Sequence, residues 1–179
     1  MSITITAWDY LFVKNFNEQT FEHRDSRLMD RQTKIAVSMA RILYKKVKVE
    51  EISSENLGVV LLSDIGPNES FLEYTSVLKE KGYVGINPSK FPNIMSATLL
   101  SRVAIEIRAK GPCVPLLLSK GSKHALMYAF EQITAGRCKA MMLIHITKDN
   151  NCFSCFIEDE EMLKKRGMQP RLFINRKGR

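Results

Sequence analysis

Two hydrophobic patterns alternate along the chain. Short runs of apolar residues are typical of strands, and stretches in which apolar positions recur every three or four residues are typical of amphipathic helices. The first pattern predicts strands over residues 2–7, 59–65, 113–119, 140–147 and 152–158. The second pattern predicts helices over residues 28–45, 69–81, 94–109, 124–135 and 159–166.

The order of these elements predicts an α/β fold built on one sheet. Helices separate most of the strands, which is typical of parallel strands joined by crossovers. The last two strands are linked by Asp149-Asn150-Asn151, a turn sequence, and should form an antiparallel hairpin. We therefore expect a mixed, mainly parallel sheet of five strands with helices on both faces. It should occupy a domain of residues 1–166, followed by a basic tail over 167–179.

Pro115 indicates where the third strand lies in the sheet. It stands inside the apolar run CVPLLLS of residues 113–119. Proline has no backbone N–H to donate to a neighbouring strand, so it is disfavoured in a central strand. This strand should therefore lie at an edge of the sheet.

Positive charge is concentrated at the C-terminus. The formal net charge is +8, and the last 19 residues hold seven basic side chains against one acidic side chain. This pattern indicates a solvated tail or a docking surface for an acidic partner. No helix-turn-helix, zinc or stacking motif accompanies the charge, so nucleic acid is not the expected partner.

Other function classes find little support in the sequence. No apolar run approaches the roughly 20 residues of a membrane span, and no secretory signal precedes the first strand, so we expect a cytoplasmic protein. The glycines form neither a nucleotide-binding fingerprint nor a phosphate loop, and we expect no cofactor. Cys152 and Cys155, three apart on a strand, should point to opposite faces and therefore hold no zinc.

Several short motifs occur in a fixed order over residues 28–167. They are Met29-Asp30-Arg31, Gly58-Val59-Val60, Pro88-x-x-Phe91-Pro92, Lys110-Gly111-Pro112, Ala125-Leu126-x-x-Ala129, Ile133-x-x-Gly136-Arg137 and Lys165-Arg166-Gly167. As an ordered set they resemble the N-terminal half of β-ketoacyl synthases, the condensing enzymes of the thiolase fold. The resemblance implies a thiolase-like half-domain.

One departure from that family concerns its nucleophile. The resemblance implies a cysteine at the elbow between the third strand and the following helix, where a helix N-terminus favours the thiolate. Here that position falls on Ser119, or on Lys120 with one residue of slack. The half of the family's fold that carries its two catalytic histidines has no counterpart in this sequence. The resemblance therefore implies a non-catalytic subunit, similar to the chain length factors that pair with full-length ketosynthases.

The resemblance also implies surfaces for partners in polyketide or fatty-acid-type biosynthesis. The strand before the elbow would form the interface with a full-length ketosynthase, or with a second copy of this chain. Its interface candidates are Cys113, Val114, Pro115, Leu116, Leu117 and Leu118. Basic residues near the C-terminus would contact an acyl carrier protein, and the candidates are Lys164, Lys165, Arg166 and Arg171.

An enzymatic alternative stays open at this point. Ser119 or Cys113 could act as the nucleophile of an acyltransferase that handles acyl thioesters, with His124 as the nearest base for the serine. The competing interpretations are a turn serine at 119 and a packed small hydrophobic side chain at 113. For His145, inside a buried strand, the expectation is a satisfied core histidine rather than a ligand.

Overall fold

The computed structural model describes residues 3–118, 121–170 and 172–174. Ser119 and Lys120, the two elbow candidates, lie outside the described residues, as does Arg171. The strands are β1 Ile3–Leu11, β2 Leu57–Ser63, β3 Cys113–Leu117, β4 Ala140–Ile146, β5 Cys152–Asp159 and β6 Leu172–Ile174. The helices are α1 Arg31–Lys46, α2 Asn68–Lys81, α3 Ser96–Glu106, α4 Ser122–Thr134 and α5 Glu160–Lys165.

The strands form one mixed sheet in the order β3-β2-β4-β5-β1-β6. Strand β2 pairs in parallel with β3 on one side and with β4 on the other. The remaining pairs, β4 with β5, β5 with β1 and β1 with β6, are antiparallel. The α/β class and the mixed sheet are confirmed.

Two details of the predicted sheet are wrong. Parallel pairing does not dominate, because the hairpin turn after β4 reverses the chain and β1 then pairs with the far edge of β5. The sheet also has a sixth strand, because residues 172–174 pair with Ile3, Thr4 and Ile5 of β1. Those three residues lie within the segment predicted as a tail, and the domain boundary at 166 stays a prediction.

Helices cover both faces of the sheet. On one face α1 and α3 pack against Leu57, Val59 and Leu61 of β2. On the other face α4 packs against Val60 and Leu62 of the same strand. Alternate residues of a strand point to opposite faces, and β2 is buried along its whole length because both faces are covered.

Local sequence signals fix the beginning of α1 and the end of α2. Asp30 caps α1 by accepting a 2.8 Å hydrogen bond from the backbone N–H of Thr33, so the helix begins at Arg31 rather than at the predicted residue 28. Gly82 ends α2 with a positive φ of 63°. The helices among the described residues include none that is long and apolar enough to span a membrane.

Candidate functional site

The carboxyl ends of the three parallel strands meet at one edge of the sheet. Asp64 directly follows β2, and His145 is the second-last residue of β4. In the register of these strands Leu62 lies opposite His145, and Ser63 lies opposite Ile146. In open α/β sheets this edge is where ligands commonly bind.

His145 connects two other side chains at this edge. Its Nε2 lies 2.8 Å from Oδ1 of Asp64, and its Nδ1 lies 3.3 Å from Oγ of Ser122, the first residue of α4. The second carboxylate oxygen of Asp64 accepts a 3.1 Å hydrogen bond from the backbone N–H of Lys148. The expectation of a satisfied core histidine is correct as to hydrogen bonding, but the partners are an acid and a hydroxyl.

Burial differs across these three residues. The side chains of His145 and Asp64 are only 13% and 17% exposed, whereas Ser122 is an exposed residue. A base held in a largely covered position next to an accessible hydroxyl is the arrangement of a serine nucleophile. We refer to Ser122, His145 and Asp64 as the serine cluster.

Leu118 and Gly121, on the two sides of the undescribed residues 119 and 120, are held by backbone hydrogen bonds. The backbone N–H of Leu118 donates to the carbonyl of Ser63 at 3.2 Å, and the N–H of Gly121 donates to the carbonyl of Leu118 at 3.2 Å. A Cβ at position 121 would lie 2.6 Å from Cβ of Leu118 and 3.1 Å from Cδ1 of Leu62. Only glycine fits there, so Gly121 places the start of α4, and with it Ser122, close to Leu118 and Leu62.

Sequence reasoning missed the serine cluster. His145 lies 23 residues from Ser122 and 81 residues from Asp64, and the three meet through the parallel pairing of β2 and β4 and the position of α4. The available signal was the position of Asp64 and His145 at the ends of apolar runs. His124, the base considered for Ser119, is an exposed residue on α4.

Strand β3 lies at the edge of the sheet, as Pro115 predicted. Its ends, Cys113 and Leu117, are exposed, and Val114, Pro115 and Leu116 are partly buried. Leu117 is 57% exposed and Leu118 is 42% exposed. The strand therefore presents apolar side chains beside its open edge.

The prediction that Cys113 is a packed small hydrophobic residue is wrong, because a residue at the start of an edge strand lacks a neighbour on one side. Partial burial nevertheless raises the pKa of its thiol, against a smaller lowering by a hydrogen bond from the backbone of Val59. Burial, and next the charge of Cys113, raise the pKa of Cys138 to about 11. A thiol with a raised pKa is a poor nucleophile at neutral pH.

Cys152 and Cys155 lie on opposite faces of β5, as their spacing predicted, because Cys152 belongs to the core under α1 and Cys155 to the core under α4. Burial raises the pKa of both thiols. Within the described part of the chain, no three His, Cys, Asp or Glu side chains are grouped so that they could hold a metal ion.

The basic residues near the C-terminus occupy different environments. Lys164 is 72% exposed and forms a 2.9 Å ion pair with Glu160, and Lys165 is exposed. The side chain of Arg166 is only 3% exposed and pairs with the fully buried Glu158. The prediction that Arg166 contacts a carrier protein does not fit this placement, because its charge neutralises a buried carboxylate.

A separate concavity of about 550 Å³ lies near the N-terminus of α1 and is lined in part by Asp30, Ser70 and Tyr74. The carboxylate of Asp30 caps α1 and also accepts a 2.6 Å hydrogen bond from Oγ of Ser70. This carboxylate ties α2 to α1, and it does not form part of a reactive group.

Comparison with known proteins supplies the family. Residues 5–143 match the family model of the N-terminal domain of β-ketoacyl synthases. A 3-oxoacyl-[acyl-carrier-protein] synthase 2 of Staphylococcus aureus is 32% identical over 103 residues, which cover 56% of this chain and 26% of the relative. The corresponding protein of Synechocystis is 28% identical over 135 residues, which cover 73% of this chain and 32% of the relative. The chain thus spans about a quarter to a third of the length of these curated relatives.

Solved structures agree on the fold. A type II polyketide ketosynthase in complex with its acyl-carrier protein aligns with a TM-score of 0.82 at 12% identity, covering 93% of this chain and 65% of that chain. The ishigamide ketosynthase/chain length factor aligns with a TM-score of 0.77 at 16% identity, covering 90% of this chain and 63% of that chain. A ketosynthase in complex with its chain length factor from Xenorhabdus doucetiae aligns at 0.68 and 12% identity, covering 89% of this chain and 79% of that chain.

Proposed function

Since the chain belongs to the β-ketoacyl synthase family, we propose that it is a non-condensing, chain-length-factor-like subunit that pairs with a complete β-ketoacyl synthase in polyketide or fatty-acid-type biosynthesis. The observation that carries this proposal is the open edge of β3, which has exposed apolar side chains beside it. A cytoplasmic location is part of the proposal, because the four cysteines are all unpaired.

The distribution of cysteines supports a non-condensing role. Condensation in the family uses a cysteine thiolate at the elbow after β3, and the four cysteines of this chain stand at positions 113, 138, 152 and 155. Burial raises the pKa of each of these thiols. The chain therefore offers no activated thiolate at the elbow.

The edge strand supports partnering. Among the described strands, β3 has a neighbour on one side only, and an open strand edge is a template for pairing with another chain. Leu117, the last residue of this strand, and Leu118, directly after it, are exposed and add to its apolar surface. Two of the similar structures contain a ketosynthase together with a chain length factor, so partnering between ketosynthase-like chains has precedent on this fold. We infer that β3 pairs with the equivalent strand of the complete ketosynthase.

Co-expression tests the proposal. The chain is expressed with the complete ketosynthase encoded nearest to it, and the complex is measured by gel filtration with light scattering. We expect a one-to-one complex that Leu117→Asp abolishes. Leu72→Asp on α2 should leave it intact and is the matched control, because Leu72 and Leu117 are both 57% exposed. A stable monomer in the presence of the ketosynthase, or a homodimer that excludes it, would overturn the proposal.

A further inference from the structure

The geometry points to a second chemistry in this chain: we propose that Ser122 is a nucleophile, activated by His145 and positioned through Asp64, that accepts an acyl group from an activated ester or thioester and releases it to water. The site differs from the elbow position 119–120 and from Cys113, the candidates that the sequence offered. It requires no metal or cofactor.

The hydrogen bonds determine which nitrogen of His145 is the base. The carboxylate of Asp64 can only accept at 2.8 Å, so Nε2 carries the proton and donates it. In the neutral imidazole Nδ1 then has a free lone pair, and it faces the hydroxyl of Ser122 at 3.3 Å. This distance is long for a neutral hydrogen bond, but catalytic hydrogen bonds are commonly long before substrate binds.

Regular structure holds each member of the serine cluster in place. His145 lies on β4 between the fully buried residues Ile144 and Ile146. Asp64 is fixed at both carboxylate oxygens, by His145 and by the backbone N–H of Lys148. Its own backbone N–H donates to the carbonyl of Ile146 at 3.0 Å, which ties the end of β2 to the end of β4. Functional sites need this kind of support, since small misplacements lower rates strongly.

A purely structural explanation accounts for less of the geometry. A serine at a helix N-terminus usually caps it, but the N-cap of α4 is Gly121, and Ser122 is the first residue inside the helix. Its side chain is directed to the imidazole. A structural His–Asp pair alone would explain the contact of Nε2 with Asp64. It would not explain why Nδ1 faces the exposed hydroxyl of Ser122.

The reaction balances without any further reactant except water. Oγ of Ser122 attacks the acyl carbonyl carbon while its proton passes to Nδ1 of His145. The bond from that carbon to the leaving oxygen or sulfur breaks, and the leaving group takes the proton from Nδ1. A water molecule then gives a proton to Nδ1 and attacks the acyl–serine ester. The carboxylic acid departs, and Oγ recovers its proton.

The surroundings favour an apolar acyl group. Leu117 lies next to the segment that follows Asp64, because a Cβ at Gly66 would be 3.2 Å from its Cδ1. Leu118 lies close to Gly121, and both leucines are exposed. In the chain without a partner, an uncharged chain of a few carbons can lie on these side chains while its carbonyl reaches Ser122. The expectation that the site hydrolyses thioesters rests on the proposed function, and the expectation that it hydrolyses esters does not.

Two measurements on the purified full chain test the site. Hydrolysis of p-nitrophenyl butyrate and of butyryl-coenzyme A is followed by release of nitrophenolate and of free thiol. A fluorophosphonate, which labels activated serines, is then mapped by mass spectrometry. We expect Ser122→Ala and His145→Gln to lower kcat/KM by at least about 100-fold. Asp64→Asn should lower kcat about 10- to 100-fold at an unchanged KM, as expected of a positioning residue.

Matched controls keep the result interpretable. His124→Gln and Ser101→Ala alter an exposed histidine and an exposed helical serine elsewhere, and both should retain wild-type rates. Labelling of Ser122 in the wild-type protein supports the proposal even if a variant unfolds. Labelling of any other residue, no labelling at all, or equal hydrolysis by wild type and Ser122→Ala would overturn it. None of these outcomes bears on pairing with a ketosynthase, which gel filtration measures separately.

Discussion

Arg166 donates a hydrogen bond to Glu158 inside the protein, where the arginine side chain is 3% exposed and the glutamate side chain is fully buried. The other oxygen of this carboxylate accepts from the hydroxyl of Thr6 on β1. The guanidinium also donates to the backbone carbonyl of Val47, just after α1. One ion pair therefore joins β5, β1, the end of α1 and the segment after α5.

Replacing Arg166 should destabilise the fold strongly. Arg166→Met leaves a buried carboxylate without its counter-charge, and breaking a buried pair in this way costs about 3–5 kcal/mol. The free energy of unfolding in urea measures the effect. Lys165→Met, at the exposed neighbouring residue, is the control and should change stability by less than about 0.5 kcal/mol.

A second substitution separates charge from packing. Adding Glu158→Gln to Arg166→Met removes the unpaired charge, so the double variant should be more stable than Arg166→Met alone. If the free energy of unfolding of Arg166→Met lies within about 1 kcal/mol of the wild-type value, the ion pair has no structural role. Arg166 would then again be a candidate for partner binding.

Only one thiol should react in the native protein. Cys113 is exposed, and Cys138, Cys152 and Cys155 are buried. Titration with a thiol reagent at pH 8 should modify Cys113 alone, and all four thiols should react in guanidinium chloride. Cys113→Ser is the control and should leave no reactive thiol in the native state. Modification of two or more thiols without denaturant would contradict the placement of β3.

The same burial predicts how stability depends on alkaline pH. Burial, and next the charge of Cys113, raise the pKa of Cys138 from 9.0 to about 11, so the folded state holds the thiol proton more tightly than the unfolded chain does. The stability that follows is complete below the ordinary thiol pKa and is lost as pH rises towards 11. Cys138→Ala should therefore reduce the loss of stability between pH 9 and pH 11.

The parts of this fold that were predictable from sequence are those governed by local patterns. The buried run at 59–65 predicted a strand covered on both faces, and Pro115 predicted the edge position of β3. Pairing between distant segments was harder to predict from the sequence. Strand β6 has only three residues, and nothing in them indicates β1 as the partner. A charged residue near the C-terminus is also expected to be solvated. Only the packing around Glu158 shows that the side chain of Arg166 is buried.

The candidate site divides in the same way. The resemblance implied an elbow after β3, and the sequence has no cysteine at that position. The sequence did not bring Ser122 to His145 and Asp64, because that contact depends on the parallel alignment of β2 and β4 and on the close packing of Gly121 at the start of α4. A histidine and an aspartate at the ends of two strands can be recognised as neighbours only once the strand order is known.

Exposed lysines at the end of α5 are the remaining candidates for a carrier-protein contact. Lys164 and Lys165 are exposed, and acyl carrier protein appears with a ketosynthase in one similar structure. We expect Lys164→Glu/Lys165→Glu to weaken binding of the acyl carrier protein about tenfold at low salt, with a smaller effect at 0.5 M salt. Calorimetry measures the affinity. Lys79→Glu/Lys81→Glu at the end of α2 is the control, and an equal loss there would indicate general charge attraction instead of a docking site.

Replacing Gly58 should displace the backbone before β3, because that backbone passes directly over it. A Cβ at this position would lie 2.5 Å from the carbonyl oxygen of Pro112 and 2.3 Å from the sulfur of Met141. Gly58→Ala must therefore push Pro112 away from β2, at a cost of about 1–3 kcal/mol. The backbone N–H of Val59, which donates to that carbonyl at 2.9 Å, reports the displacement.

Hydrogen exchange distinguishes this displacement from general destabilisation. Gly58→Ala should remove the protection of the Val59 amide and weaken the attachment of β3, the strand proposed to meet the partner. Gly136→Ala is the control: its φ of 72° makes alanine strained there, but no atom lies within 4 Å of the added Cβ. That variant should lose about 1 kcal/mol of stability and keep Val59 protected. Retained protection of Val59 in Gly58→Ala would show that β3 does not depend on this contact, and the edge strand would then be held by its pairing with β2 alone.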